Sequence, residues 1–299
     1  MRFDLTPDQR DFADALDRLL AAADTPKVAR AWGNGDREPG LALWSRLAQQ
    51  GVTDLADQDT VVELCVAFEA LGRHAVPGPW VESAAVLPMA LGRDLSATIA
   101  TLAAPPNVPY ALDADVASDV YTVVDGRLHV GEVGEMVRSV DRTRHLFTVT
   151  PGDAVPSEEL RGALGLGVLA TSAQLLGAGE RVLADSVTYV TQRKQFGREI
   201  GSYQAIKHAL ADVRIALDFA RPLLYGAALS TDARDVSAAK VACSEAAYLA
   251  ARTGLQVHGA IGYTAEFDLS IWLTKIRALV GAWGTPRFHR AALLEELMR

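Results

Sequence analysis

Residues 191–217, TQRKQFGREIGSYQAIKHALADVRIAL, decide how the rest of the chain is organised. Their first part, residues 193–198, places three cationic side chains, one aromatic ring and a glycine in a short connector. From Ser202 onward, apolar residues recur in alternating steps of four and three, which predicts an amphipathic helix with Ser202 as its N-cap. The apolar stripe consists of Ile206, Leu210, Val213, Leu217, Ala220 and Leu224. The sequence therefore predicts a cationic loop held at the start of a long helix.

A cationic loop in this position suits a ligand that bears phosphate. Arginine presents a planar fork of donors that can bind two oxygen atoms at once. The alternative is a solvated basic connector between two helices, with no ligand. The residues of the loop, taken alone, leave both interpretations open.

Two motifs resemble the signatures of a known enzyme family. The pattern R-x-x-F-G-x-x-I-x-x-x-Q, which begins at Arg193, resembles the flavin-contacting signature of the acyl-CoA dehydrogenases. Residues 256–263, QVHGAIGY, resemble the second signature loop of that family. The two motifs occur in the family's order and at a similar separation. The resemblance is best from about residue 160 to the C-terminus, fair over residues 1–92 and poor between these segments.

The resemblance implies where a flavin would be contacted. In the family, the two motifs reach across a dimer interface and hold the pyrophosphate and adenosine end of the neighbour's FAD. The match implies cofactor-binding roles for Arg193, Phe196, Gln204, Gln256 and Gly259. The implied cofactor is FAD, shared with a partner subunit across the interface.

Residues 1–104 are expected to form an all-helical N-terminal domain. A capping-box pattern at Thr6 predicts the start of its first helix, and the glycine-containing residues 33–40 predict a linker before its second. The predicted helices begin at Thr6, pass through Trp44, and cover about residues 60–73 and 81–91.

Residues 105–156 are expected to form a truncated β domain. The β-branched and aromatic residues 120–124 predict a strand, and Asp125-Gly126 predicts a hairpin turn after it. The remaining strands are predicted at residues 128–130 and 144–150. This segment is about half as long as the middle β domain of the family that the chain resembles.

Residues 157–299 are expected to form a C-terminal antiparallel bundle that carries the flavin-contacting loops. Pro222 is expected to kink or break the second helix of this bundle. The predicted fold class is thus mainly α, with an acyl-CoA dehydrogenase-like order of helical layer, truncated β segment and four-helix bundle. The helices are predicted at about residues 160–191, 202–230, 235–258 and 266–281, with a short fifth at 285–298.

Composition describes a globular chain of 299 residues with 49% apolar residues and a net charge of −8. The negative charge argues against nucleic acid as a partner. The uncharged residues 162–179 approach the length of a membrane span, but their glycines and hydroxyls favour a buried bundle helix. Cys65 and Cys243 are expected to be buried and reduced, and without a secretory signal we expect a cytoplasmic location.

The catalytic base is missing at both places where the family has one. Acyl-CoA dehydrogenation removes an α-proton from a thioester with a positioned Glu, while a hydride passes to the flavin. The matching positions hold Trp283 and Gly167, and neither side chain accepts a proton. We therefore expect no catalytic residue in this chain, and no metal site. Among its other carboxylates, Glu158, Glu159, Glu180 and Glu266, the last is the first substitute to consider.

The loop for the chain's own flavin ring is also incomplete. In the family this loop opens the middle domain and is rich in Thr, Ser and Gly. Its nearest counterpart here, residues 110–119, lacks the Thr and the Gly. His258 either belongs to the second signature loop or fills a helix end.

The motifs that are present would serve a neighbour's flavin, and those that are missing would serve the chain's own. In this respect the chain resembles short, degenerate family members that pair with a full-length acyl-CoA dehydrogenase in bacterial heterotetramers, notably those that act on steroid side-chain CoA esters. The resemblance implies an α2β2 partner that carries the Glu and binds the acyl-CoA, in β-oxidation of fatty acids or steroid side chains. Two alternatives remain, a self-sufficient homo-oligomeric flavoenzyme with a relocated base and a cofactor-free structural homologue.

Overall fold

Helices dominate the structure, a computed structural model that describes residues 4–298. The chain begins with a helical layer and continues into a small sheet and a helical bundle, in the predicted order. The helices of the first layer are α1 Pro7–Ala21, α2 Thr25–Gly33, α3 Glu38–Ala48, α4 Val61–Arg73 and α5 Leu87–Leu91.

The start of α1 is confirmed in detail. The Gln9 backbone N–H donates to the Thr6 hydroxyl, and the Thr6 backbone N–H donates to the Gln9 side chain, which closes the predicted capping box. The helix α2 lies where the sequence predicted no helix before the linker. Its buried Val28 and Trp32, one turn apart, explain why the segment folds against the core although it is only nine residues long.

The sequence predicted one helix over residues 81–91, but the structure has two different helical segments there. Val81–Val86 form a π-helical turn, and α5 continues from Leu87. Pro88 has no N–H to donate to the carbonyl of residue 84, so the regular hydrogen-bond ladder cannot run through this point. Pro88 is visible in the sequence, but the prediction did not take its missing donor into account.

The sheet covers residues 100–154. Its strands are β1 Ala100–Ala103, β2 Ala111–Leu112, β3 Asp119–Val124, β4 Arg127–Val137 and β5 Leu146–Ala154, in the spatial order β1-β3-β4-β5-β2. Asp125 and Gly126 both have positive φ, 49° and 73°, which confirms the predicted hairpin turn between β3 and β4. The short β1, parallel to β3, begins before residue 105, and the domain division at residues 104 and 156 stays a prediction.

The second half of the chain forms the predicted bundle. Its helices are α6 Leu160–Gln192, α7 Gln204–Ser230, α8 Ala233–His258, α9 Leu269–Gly281 and α10 Pro286–Leu297. The prediction that Ser202 caps α7 is wrong, because Ser202 lies in a 3-10 turn and its hydroxyl donates to the Glu199 carbonyl. The helix α7 also continues past Pro222 without a break.

The helix α6 is long and apolar enough to span a membrane by length and composition, but 78% of its most apolar 18-residue window is buried inside the protein. It packs against α4, α7 and α8. Its glycines allow this contact, since a Cβ at Gly177 would overlap the backbone of Glu69 in α4. The predicted role of this segment as a close-packed bundle helix is confirmed.

A charged network joins the N-terminal layer to the bundle. Arg221 donates to both carboxylate oxygens of Glu69 at 2.8 Å, and Arg214 donates to both of Glu180 at 2.7 Å. Burial alone would raise the pKa of Glu180, but the hydrogen bonds from Arg214 and Arg221 outweigh it and lower that pKa. Cys65 and Cys243 are buried and free, as predicted.

Candidate functional site

The first signature motif forms a tight hairpin at the end of α6. Arg193 follows the last helical residue, and the short strands β6 Lys194–Gln195 and β7 Arg198–Glu199 pair with each other. The Ile200 N–H donates to the Arg193 carbonyl at 2.8 Å and closes the base of the hairpin. The turn residues Phe196 and Gly197 both have positive φ, 52° and 80°, as a two-residue hairpin of this type requires.

Both the backbone conformation and the exposure of Phe196 are energetically unfavourable. Its left-handed backbone conformation is strained for an aromatic residue, and its side chain is 92% exposed. Folding within this chain gains nothing from either feature. A ring presented in this way indicates contact with a ligand or with another chain.

Arg193 carries the guanidinium of this hairpin that remains available. The Arg198 guanidinium stacks over the Tyr203 ring at 3.9 Å and is engaged within the chain. The Arg193 side chain is exposed and makes no hydrogen bond or ion pair within the described residues. Gln204, the first residue of α7, is exposed as well. The site thus offers a free guanidinium next to the start of a long helix.

The second signature motif closes α8. Gln256 is exposed in the last turn, and Gly259 ends the helix as predicted, with φ 62° and ψ −136°. Only glycine adopts this region readily. A Cβ built on Gly259 would meet nothing within 4 Å, so the backbone here faces open space that a ligand can approach closely.

A ring stack brings the two motifs together. The Tyr189 and His258 rings lie 4.2 Å apart with 26° between their planes. Tyr189 is one turn before Arg193, and His258 directly precedes Gly259. The ring pair therefore lies where the two elements leave their helices. All five residues that were predicted to contact the cofactor are exposed.

The position of the chain's own flavin-ring loop needs a correction. The sequence placed its counterpart at residues 110–119, but the sheet opens earlier, with β1. The loop that follows β1 is residues 104–108, APPNV, which also lacks Thr and Gly. With this new location, the absence of a flavin-ring loop of the family's kind stays a prediction.

Trp283 and Gly167, the positions at which the resemblance places the family's base, touch each other. Trp283 is 4% exposed, and its ring lies so close to Gly167 that a Cβ there would overlap it. Trp283 has φ 58°, and the hydrogen bond between His289 Nε2 and the Trp283 carbonyl, 2.9 Å, holds this turn. The indole therefore fills the space into which a side chain at position 167 would project.

A buried carboxyl beside Trp283 was missed from the sequence. Glu82 is 1% exposed, and its Oε2 has no hydrogen-bond partner within the described residues. Burial raises the pKa of Glu82 to about 7, and the Arg144 charge opposes this shift only in part. The available signal was a single acidic residue inside the apolar run WVESAAVLPMAL.

The carboxylates that the sequence offered as substitutes lie elsewhere. Glu180 is occupied by two arginines, and Glu158 and Glu159 line an open cleft of about 660 Å³. Glu266 lines a separate cavity of about 420 Å³ beside the second motif. Among residues 4–298, no three His, Cys, Asp or Glu side chains cluster as metal ligands would.

Glu82→Gln is expected to change how stability depends on pH. Because the folded-state pKa lies above the ordinary value of 4.5, Glu82 does not reduce stability at low pH, and it destabilises the fold progressively as pH rises towards 7. Above that pH the loss amounts to about 3 kcal/mol. Denaturant unfolding of both proteins at pH 5 and pH 8 should show a larger gain for the variant at pH 8.

The exposed Glu132 provides the matched control, since Glu132→Gln should leave the pH dependence unchanged. An equal effect of Glu82→Gln at pH 5 and pH 8 would show that this carboxyl does not titrate between them.

The fold and the site together define a class of protein. In this class a short sheet separates a helical layer from a bundle, and two loops of the bundle, the Arg193 hairpin and the Gly259 turn, are suited to bind phosphate. Residues 160–298 match the family model described as "Acyl-CoA dehydrogenase, C-terminal domain". The C-terminal domain of the chain is thus an acyl-CoA dehydrogenase domain, and the whole chain is similar to that family. Similarity to this family implies FAD as the cofactor and oxidoreductase chemistry.

Similar proteins extend this likeness over the whole chain. Acyl-CoA dehydrogenase IpdE2 from Mycobacterium tuberculosis is 27% identical over 307 residues, covering 94% of this chain and 95% of that protein. A chain of the ChsE4-ChsE5 complex from M. tuberculosis has a TM-score of 0.85 at 22% identity, covering 100% of this chain and 99% of that one. Butyryl-CoA dehydrogenase from Megasphaera elsdenii has a TM-score of 0.84 at 19% identity, with both chains covered completely. The solved structures confirm the predicted acyl-CoA dehydrogenase-like fold.

The structure can be tested for its fit to FAD at two places. The free Arg193 guanidinium and the open backbone at Gly259 fit the pyrophosphate end of the cofactor. The chain's own flavin-ring region does not fit, since Trp283 packs into the notch at Gly167 and the loop after β1 lacks the Thr and Gly. Residues that fit the pyrophosphate end of FAD are therefore present in this chain, whereas residues that fit the flavin ring are not found among those described.

Proposed function

We propose that this chain is a flavin-sharing subunit of a heteromeric FAD-dependent acyl-CoA dehydrogenase. It completes the FAD site of a full-length partner, which carries the catalytic Glu and binds the acyl-CoA. The observation that carries the proposal is the contrast between a free, preformed surface at Arg193 and Gly259 and a base position filled by Trp283.

Each surface residue has a physical task in this assembly. Arg193 would take two phosphate oxygens at once, because its fork is planar and free. Gly259 would let a phosphate or ribose approach the backbone, and Phe196 would offer a flat apolar face. Gln204 and Gln256 would supply amide donors and acceptors. When bound, FAD accepts the hydride from the substrate.

The reaction would be α,β-desaturation of an acyl-CoA thioester, with the proton removed by the partner. This chain would orient the cofactor and exclude water, and it would move no proton itself. The ChsE4-ChsE5 complex supports a partnership between two different subunits. We extend this to an α2β2 assembly, and the cytoplasmic location stays a prediction.

One observation favours a second candidate function, a self-sufficient flavoenzyme with a relocated base. Glu82 lies beside Trp283, and its pKa of about 7 suits a general base. Against this candidate, Glu82 is 1% exposed, so no substrate can reach its carboxyl in this structure. A flavin absorption band from the purified chain alone would favour this candidate over the shared site, and its absence even beside a partner would favour a cofactor-free structural homologue.

Arg193→Ala is expected to lower flavin retention in the complex. Losing a bidentate, charge-assisted contact costs about 1.5–3 kcal/mol, which is about a 10- to 150-fold weaker FAD affinity. Arg193→Lys should recover only part of the loss, since an ammonium cannot reproduce the fork. Fluorescence titration of the FAD-depleted complex with FAD measures the effect.

The matched control is Arg46→Ala, which removes an exposed arginine from α3 in the N-terminal layer. This variant should leave FAD affinity unchanged. Unaltered affinity in Arg193→Ala would count decisively against the shared site.

A further inference from the structure

The two flavin-contacting elements need something to hold them in register. They follow two different helices, α6 and α8, and no hydrogen bond joins residues 193–204 to residues 256–263 among those described. The packing of α6 against α8, where Gly254 lies against Val182 and Ser186, sets the two helices but not the exposed hairpin that extends beyond α6. The ring pair Tyr189–His258 lies at the end of this interface, where the two elements leave their helices.

The pair is built to be rigid. His258 is 4% exposed, its Nδ1–H donates to the Gly254 carbonyl at 2.8 Å, and Phe267 packs against it with ring centroids 5.4 Å apart. Tyr189 is half-buried in the last turn of α6. Stacked rings with centroids 4.2 Å apart resist sliding and tilting, because both would lose contact area.

Each ring is also linked to a functional residue through a short path of backbone. The Arg193 N–H donates to the Tyr189 carbonyl at 2.9 Å, which fixes the point where the hairpin leaves α6. His258 is bonded directly to Gly259, whose conformation opens the second loop. A shift of either ring would therefore move the corresponding element.

We propose that Tyr189 and His258 are positioning residues that set the Arg193 hairpin relative to the Gly259 turn, so that both reach one dinucleotide. This inference rests on the proposed function, since it concerns how the shared FAD site is held. Neither ring touches the cofactor in this account, and each acts through its neighbour.

A double-mutant cycle on FAD affinity of the complex with its partner tests the inference. Tyr189→Leu should weaken FAD binding about three- to tenfold, and Tyr189→Phe, which keeps the ring, should restore it. In the Arg193→Ala background, Tyr189→Leu should add less than about twofold, because the residue it positions is gone. A merely structural role would leave the two effects independent.

His258→Leu provides a second route to the same test, since it removes the other ring of the pair. It should weaken FAD binding about three- to tenfold, and in the Tyr189→Leu background it should add less than about twofold, because the ring stack is already lost. Suppose that Arg193→Ala weakens FAD binding strongly but that the losses of the two ring variants add fully in these double mutants. This result would overturn the inference alone. An Arg193→Ala variant with normal FAD affinity would overturn both the inference and the proposed function.

Discussion

Gly177→Ala is expected to destabilise the fold by about 3 kcal/mol or more. A Cβ at Gly177 would overlap the Glu69 carbonyl oxygen, and one at Gly72 would overlap the Gln174 carbonyl oxygen. Both obstructing groups are backbone, which cannot turn aside as a flexible side chain does. The helices α4 and α6 would have to separate, and this would open the interface between the N-terminal layer and the bundle. Denaturant unfolding of the purified chain measures the loss.

Gly165→Ala, in the same helix, is the matched control. A Cβ there would meet nothing within 4 Å, so replacing a helical glycine by alanine should stabilise by about 0.5–1 kcal/mol. The opposite signs expected for two identical substitutions separate packing from helix propensity. If Gly177→Ala were as stable as the unmodified chain, the close contact between α4 and α6 would be wrong.

The isolated chain is expected to show no acyl-CoA dehydrogenase turnover, and Trp283→Glu should not create it. A positioned general base contributes about 100- to 10,000-fold, but only where a hydride acceptor and a substrate pocket already exist. Trp283→Glu adds a carboxylate and leaves the loop at residues 104–108 without the Thr and Gly of the family. Turnover of the isolated variant should stay below that of the assembled complex by at least about a thousandfold.

The control for this experiment is the complex itself, in which Trp283→Glu should leave the partner's turnover in place. Turnover by the unmodified isolated chain would contradict the account. The search for its base would then start at Glu82, beside Trp283, and not at Glu266, where the sequence pointed.

Local signals predicted most of the architecture. The capping box at Thr6, the Asp125-Gly126 turn and the Gly259 helix end each depend on a few neighbouring residues, and all three are confirmed. The long apolar periodicity of the bundle gave its helices to within a few residues. Such features are readable because their physics is local.

The misses depend on distant contacts. The helix α2 is short, and Trp32 secures it through a hydrogen bond from its indole N–H to Asp113, far along the chain. The strand β1 has four residues and exists because it pairs with β3. Sequence periodicity carries no information about either partner, so both elements were overlooked.

The site shows the same division. The motifs at Arg193 and Gly259 were recognisable from their residues, but the ring pair that joins them links positions far apart in sequence. The sequence was enough to predict Trp283 and Gly167 at the two base positions, whereas the contact between them and the proximity of Trp283 to Glu82 required the fold. Glu82 was visible in the sequence as a single acidic residue within an apolar run, but its burial beside Trp283 depends on the fold.

The central claim is that the chain completes a partner's flavin site and holds no flavin of its own. The most direct measurement is the ratio of FAD to protein chains, by absorbance and quantitative amino-acid analysis, in the purified chain and in its complex with a full-length partner. The account predicts no flavin in the isolated chain and one flavin per full-length partner chain in the complex. Stoichiometric flavin in the isolated chain, accompanied by acyl-CoA turnover, would contradict it.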